Sequence, residues 1–169
     1  GHPQNSLASF SAAAEMGCHG SECDVHLTAD DSLVINHDPT YNGLEIEKAT
    51  YAELVKFPLP NGEKLPTLRE YIAHATQQTG TKLVIDVKNI GSSDHAVAIG
   101  VATAKLVQQM KAEPWVEYLV AHLPTYEAMR MAISKLDVKP DLLLNDAVTI
   151  PEVMIRQVPI IKGDAKSAS

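Results

Sequence analysis

Apolar stretches with a two-residue period alternate along this chain with longer stretches that have a helical period. Cys23, Val25 and Leu27 alternate with polar residues, and residues 82–88 repeat that pattern. Amphipathic patterns long enough for helices separate most of these stretches. Strands that alternate with helices form βαβ units around a parallel sheet, either open or closed into a barrel. The pattern therefore predicts an α/β fold.

Capping signals and turn residues set the expected bounds of each element. The predicted strands are residues 21–27, 33–35, 82–88, 116–122, 141–145 and 158–162. The first predicted helix runs from a cap at Asn5-Ser6 to Met16, and two others span residues 95–111 and 126–136. Three more are predicted from their starts alone, at the capping boxes of Thr50 and Thr67 and at Pro151. Neither GxGxxG nor GxxxxGK[ST] occurs, which argues against the nucleotide-binding forms of this class.

Charge and length exclude several functional classes. The 169 residues carry a formal net charge of −7 and no basic run, so we expect neither a nucleic-acid partner nor docking on an anionic membrane. No apolar stretch approaches the ~20 residues that span a bilayer, so no stable membrane insertion is expected. Cys18 and Cys23 lack CxxC spacing. A small phosphorylated ligand stays compatible with this charge if a divalent cation reverses it locally.

Polar residues lie at the carboxyl ends of three predicted strands, where a parallel sheet is normally buried. Glu22 and Asp24 project from one side of the first strand, His37 follows the second, and Asp86 and Lys88 repeat the i, i+2 spacing on the third. If these strands converge, three carboxylates form an oxygen site suited to Mg²⁺ or Ca²⁺. The sequence therefore predicts a divalent-cation site at this edge.

Each of these motifs alone also has a purely structural explanation. An isolated pair such as Glu22 and Asp24 often lies on a solvated edge strand, and a lone histidine such as His37 is usually structural. Their joint occurrence at strand ends favours function. His26, on the same side as Asp24, and His122, at the end of the fourth predicted strand, are weaker candidates for contact with a ligand.

Five segments of the first 90 residues, taken in order, match a known family. They are PQNSLASF from Pro3, ECDVHLT from Glu22, LVINHDP from Leu33, LPTL from Leu65 and VIDVK from Val84. In order and spacing they resemble the glycerophosphodiester phosphodiesterases. The resemblance implies a TIM (β/α)₈ barrel of the PLC-like phosphodiesterase type. It further implies metal-dependent hydrolysis of small-molecule glycerophosphodiesters to glycerol 3-phosphate and an alcohol.

The resemblance also implies roles for individual residues. Glu22 and Asp24 match the first two metal ligands of the family, and Asp86 lies where the family usually has a third, a glutamate. His37 resembles one of two acid–base histidines, and Lys88 resembles the lysine beside the phosphate. The implied cofactor is Mg²⁺ or Ca²⁺.

The sequence departs from the family pattern at three points. The HRG motif, which holds the other histidine and an arginine, is absent, and His2 does not occupy its position. Gln4 replaces the usual glutamate of the PENT-like segment. Asp86 is one methylene shorter than the usual glutamate. Either a water molecule bridges the resulting gap to the metal, or the metal is bound less tightly.

Length adds a further expectation. A TIM barrel needs eight strand–helix units and typically ~250 residues, whereas this sequence shows six predicted strands. We therefore expect a single barrel domain over residues 1–169 from which the HRG strand and at least one later unit are missing. Two alternatives remain: a non-catalytic member that keeps the metal or phosphate pocket, and a different carboxylate-metal barrel such as a lyase. An extracytoplasmic location is slightly favoured.

Overall fold

The structure, a computed structural model, describes residues 1–133, and a four-stranded sheet lies at its centre. The strands are β1 (Gly20–Leu27), β2 (Leu33–Ile35), β3 (Thr40–Tyr41), β4 (Leu44–Glu45), β5 (Lys82–Val87) and β6 (Val116–Val120). The central sheet has the order β2-β1-β5-β6, and β3 pairs with β4 separately. Strands β1, β5 and β6 are parallel, so their carboxyl ends lie at one edge.

Within residues 1–133, five α-helices flank these strands. They are α1 (Leu7–Glu15), α2 (Tyr51–Leu54), α3 (Leu68–Ala75), α4 (Ser93–Gln109) and α5 (Leu123–Ala132), with 3₁₀ turns at Ile46–Lys48 and Glu113–Trp115. None of the helices within residues 1–133 is long and apolar enough to cross a membrane.

Helices α1, α2 and α3 begin where the capping residues predict, whereas α4 begins at Ser93 and α5 at Leu123, before their predicted starts at 95 and 126. The Ser6 side chain accepts a hydrogen bond from the backbone N–H of Ser9 at the start of α1. Thr67 and Glu70 form a reciprocal capping box at the start of α3, and Thr50 and Glu53 form another at α2. These local signals were sufficient to predict the starts of all three helices.

The two faces of the sheet have different chemistry. Cys23, Val25 and Ile85 point to the face covered by helices and are fully buried in the main hydrophobic core. The alternation of β1 places Glu22, Asp24 and His26 on the opposite face. The expected alternation of apolar and polar side chains is therefore confirmed for the strands that carry the acidic residues.

Strand β2 departs from the parallel arrangement. It pairs antiparallel with β1, with His26 opposite Val34 and Leu27 opposite Leu33. Residues 28–32 form the whole connection, and Asp31 has a positive φ of 59° in that turn. A parallel neighbour would need a crossover of a dozen or more residues, so this short turn allows only a hairpin.

An excursion over residues 39–66 packs on the face of the sheet that bears the acidic residues. It begins with the β3–β4 hairpin, whose turn residues Asn42 and Gly43 have φ values of 48° and 80°. Its buried side chains form a second core with Val34 of β2, namely Ile46, Ala49, Leu54 and Leu65. Because Val34 is paired with His26, the excursion lies beside the carboxyl end of β1.

Gly100 permits close packing of α4 on α5. A Cβ at this position would clash with Thr125 Cγ2 and would lie 2.9 Å from Met129 Sδ. We expect Gly100→Ala to lower the free energy of unfolding by about 1–2 kcal/mol despite its better helix propensity. Thermal unfolding should show a Tm lower by roughly 2–4 °C per kcal/mol. Adding Thr125→Ser, which removes the clashing methyl, should restore most of the Tm; an unchanged Tm in Gly100→Ala would contradict this packing.

Several predicted elements lie outside the described residues. These are the strands at 141–145 and 158–162, the helix opened by Pro151 and the end of the helix predicted over 126–136. The expectation of missing barrel units likewise stays a prediction.

Candidate active site

Three carboxylates converge on the neighbouring strands β1 and β5. Asp24 lies directly opposite Asp86 in the parallel register, and Glu22 lies two residues earlier on the same face as Asp24. One carboxylate oxygen from each residue lies within 4.8 Å of the others. Asp24 is buried, Asp86 is half-buried and Glu22 is exposed. The three carboxylates predicted to form a cation site are therefore brought together.

Lys88 bridges two of these carboxylates. Its Nζ donates a 2.8 Å hydrogen bond to Asp86 Oδ2 and forms an ion pair with Asp24. Burial alone would lower the pKa of Lys88, but the hydrogen bonds to Asp24 and Asp86 outweigh burial and raise it. Lys88 therefore stays a cation at neutral pH.

One lysine does not balance three carboxylates. Burial and the neighbouring charges of Asp24 and Asp86 raise the pKa of Glu22. Oxygen ligands bind Mg²⁺ or Ca²⁺ at about 2.0–2.6 Å, so oxygens on one ion lie up to about 5 Å apart. The 4.8 Å spacing of the cluster falls within that limit. The donor set and its excess negative charge thus fit a hard divalent cation.

Asn5 positions Asp24, a role that the sequence analysis missed. Its Nδ2 donates to Asp24 Oδ2 at 2.8 Å, and the backbone N–H of Asp24 donates to Asn5 Oδ1 at 3.1 Å. Asn5 has a φ of 55°, a conformation that asparagine tolerates better than most residues. Asn5 belongs to the PENT-like segment, but neither that segment nor the cap signal identifies a contact with Asp24, 19 residues away.

His37 lies at the end of β2, next to the carboxylates. The backbone N–H of Asn36 donates to the Asp24 carbonyl at 3.0 Å, which anchors this segment to β1. The His37 side chain is 67% exposed, and its Nδ1 donates to Asp38 Oδ1 at 2.8 Å because a carboxylate only accepts. The hydrogen bond to Asp38, followed by the charge of Asp24, raises the pKa of His37.

The two weaker histidine candidates occupy different places. His26 is buried beside His37, and its Nε2 lies 3.4 Å from the His37 carbonyl oxygen. Burial lowers the pKa of His26, so its ring is neutral at pH 7. His122 precedes α5, where its Nδ1 lies 2.8 Å from Thr125 Oγ1 and its Nε2 lies 3.4 Å from Ser93 Oγ. His26 therefore lies on the face of β1 that bears Asp24, whereas His122 contacts Thr125 and Ser93 at the starts of α5 and α4.

A comparison with protein families decides the classification. The model of the glycerophosphoryl diester phosphodiesterase family matches residues 1–154. The chain belongs to this family. Its fold is accordingly the TIM-barrel-like α/β type that the resemblance implied, and residues 1–133 supply three parallel strands of it with an antiparallel neighbour.

Solved structures agree with the family assignment. A glycerophosphodiester phosphodiesterase from Parabacteroides distasonis is 33% identical with a TM-score of 0.73, over 82% of this chain and 56% of that one. An Oleispira antarctica phosphodiesterase, solved in complex with the product sn-glycerol-3-phosphate, has a TM-score of 0.69. It is 22% identical over 92% of this chain and 65% of that one, which shows the fold alone.

Two curated proteins of different function are similar to this chain over segments shorter than the family match. A glycerophosphodiester phosphodiesterase from Caldanaerobacter subterraneus is 35% identical over 80 residues, 40% of this chain and 33% of that protein. A ribonuclease HII from Lachnoclostridium phytofermentans is 53% identical over 76 residues, 45% of this chain and 27% of that protein. Each of these two similarities covers less than half of the chain, so the family assignment rests on the family model, which matches residues 1–154.

Proposed function

We propose that this protein hydrolyses glycerophosphodiesters to sn-glycerol 3-phosphate and an alcohol with the help of a divalent cation. The observation that carries the proposal is the convergence of Glu22, Asp24 and Asp86 around Lys88, in a chain that belongs to a phosphodiesterase family. The site lies at the carboxyl ends of parallel strands, where TIM barrels keep their catalytic residues.

The proposed metal ligands are the three carboxylates, with Mg²⁺ or Ca²⁺ as the ion. A cation held there would place positive charge beside a phosphate oxygen and orient the glycerol hydroxyl. Lys88 is already charged and fixed by two carboxylates, so it can stabilise a second phosphate oxygen without reorganisation. Lys88 is therefore proposed to bind the phosphate during the reaction.

His37 is the proposed acid–base residue. Its Nδ1 is occupied by Asp38, which leaves Nε2 on an exposed ring to exchange a proton with the substrate. We assign it the proton transfer that accompanies cleavage of the P–O bond to the leaving alcohol. The product found in the Oleispira antarctica phosphodiesterase, sn-glycerol-3-phosphate, supports this substrate class.

Two alternatives give different results in the same assay. A non-catalytic family member would keep the carboxylate cluster but release no product. The similarity to a ribonuclease over 45% of the chain suggests RNA as the second phosphodiester to test. RNA is therefore the comparison substrate in the experiment below.

Removal of divalent cations should abolish most of the activity. With glycerophosphoethanolamine as substrate, we expect chelation by EDTA to lower the rate of glycerol 3-phosphate release at least about a hundredfold, because the phosphate charge loses its neutralising cation. Excess Mg²⁺ or Ca²⁺ should restore the rate. Equal rates with cation and with chelator would contradict the metal role, and cleavage of RNA but not of the glycerophosphodiester would contradict the proposed substrate.

A further inference from the structure

A cavity of about 290 Å³ continues the candidate active site toward the excursion. Three of its lining residues each lie two positions after a residue of the site in the sequence. The lining residues His26, Pro39 and Ile90 follow Asp24, His37 and Lys88, respectively. A substrate whose phosphate is bound by Lys88 would therefore lie beside this cavity, and one of the two groups esterified to that phosphate would extend into it.

The permanent charges on the cavity wall are negative. Glu45 and Glu47 line it, and none of its lining residues within the described part of the chain is a lysine or arginine. Glu45 is neutralised by an ion pair with Lys48 at 2.5 Å. Within residues 1–133, Glu47 forms no ion pair with a lysine or arginine, although its charge contributes to the raised pKa of Lys48.

The position of Glu47 is built into the fold. Its Oε2 lies 3.7 Å from Nε2 of His95, and its side chain is one-third exposed. Gly91, in the loop that follows Lys88, has a φ of 74°, and a Cβ there would clash with Glu47 Oε2. The loop therefore approaches the carboxylate as closely as a glycine permits, which links Glu47 to the segment that carries Lys88.

We propose that this cavity takes the leaving alcohol of the substrate and that Glu47 selects alcohols carrying a primary ammonium group. This inference rests on the proposed function and specifies its substrate class. An ammonium group donates up to three charge-assisted hydrogen bonds to carboxylate and carbonyl oxygens. A neutral alkyl alcohol of the same size would donate no charge-assisted hydrogen bond to the Glu47 carboxylate, so it should bind less tightly.

Two substrates of nearly equal shape test the selection. Glycerophosphoethanolamine and glycerophosphopropanol differ by an ammonium group in place of a methyl group. In the intact protein we expect kcat/KM to favour the ethanolamine ester by about fivefold. Glu47→Gln should remove that preference by raising KM for the ethanolamine ester, with the kcat of both esters unchanged. Glu15→Gln, the same change on an exposed residue at the end of α1, is the matched control and should leave the preference intact.

Other outcomes overturn the inference. No preference in the wild type, or an equal loss of activity on both esters in Glu47→Gln, would show that the contact with His95 is only structural. Hydrolysis of neither ester would refute the proposed function instead, so binding is measured separately. Titration with ethanolamine should shift the ring NMR signals of His95 in the wild type but not in Glu47→Gln. Absence of that shift in the wild type would overturn the inference whatever the activity.

Discussion

Replacing Asp24 with asparagine is expected to lower kcat/KM for glycerophosphodiesters by about a thousandfold, a loss of several kcal/mol in transition-state stabilisation. Asp24 is the centre of the site because it lies opposite Asp86, pairs with Lys88 and accepts a hydrogen bond from Asn5. The amide removes the negative charge and turns one acceptor into a donor, which repels both a cation and Lys88. The loss should therefore appear in cation binding and in the rate.

The measurement is kcat/KM as a function of Mg²⁺ or Ca²⁺ concentration, with Tm as a control for folding. The Asp24→Asn side chain still accepts from Asn5, so the Tm should fall by only a few degrees. Glu22→Gln provides a second test, because Glu22 is exposed and its substitution leaves the core untouched. Retention of more than a tenth of the activity with an unchanged cation requirement in both variants would rule out the proposed ligand set.

The acidic face of β1 could be predicted because its cause is local. The two-residue period places Glu22, Asp24 and His26 on one side of any strand formed here, whatever its neighbours. The capping boxes at Thr50 and Thr67 are local in the same sense. Whether the strands converge was left open by the sequence, because strand order depends on long-range packing. The parallel register of β1 and β5 places Asp24 opposite Asp86.

Contacts between distant segments could not be predicted in the same way. Asn5 and Asp24 are 19 residues apart, and the carboxylate of Glu63 accepts hydrogen bonds from the first N–H groups of α1, 55 and 56 residues away. Side chains of many types can cap a helix from another segment, so no spacing in the sequence identifies Glu63. The cavity beside Glu47 depends on the same long-range packing.

The β3–β4 hairpin is a different case, because its signal was present in the sequence. Asn42-Gly43 is a strong indicator of a tight hairpin turn, and both residues have the positive φ that such a turn requires. The flanking strands have only two residues each, too short to show an alternating pattern. This turn directs the chain into the excursion over residues 39–66, which then covers the face of the sheet beside the carboxylates.

His37→Ala is expected to lower kcat by about a hundredfold to ten-thousandfold, the usual range for loss of a general acid or base. His37 is exposed and the excursion does not need its side chain for packing, so the Tm should be nearly unchanged. KM should also change little, since Lys88 and the cation held by the carboxylates would still bind the phosphate. The measurement is steady-state hydrolysis of glycerophosphoethanolamine at saturating Mg²⁺ or Ca²⁺. A loss of less than tenfold would exclude His37 as the main proton-transfer residue.

Asp38→Asn separates this proton-transfer role from a merely structural one. The hydrogen bond from Nδ1 to Asp38 stabilises the protonated imidazole and raises the pKa of His37, so removing the carboxylate lowers that pKa. The limb of the pH–rate profile that reports His37 should therefore move to lower pH, whether the residue acts as acid or base in the limiting step. The limb should be lost altogether in His37→Ala. A profile that keeps the same midpoint in Asp38→Asn would assign that limb to another group.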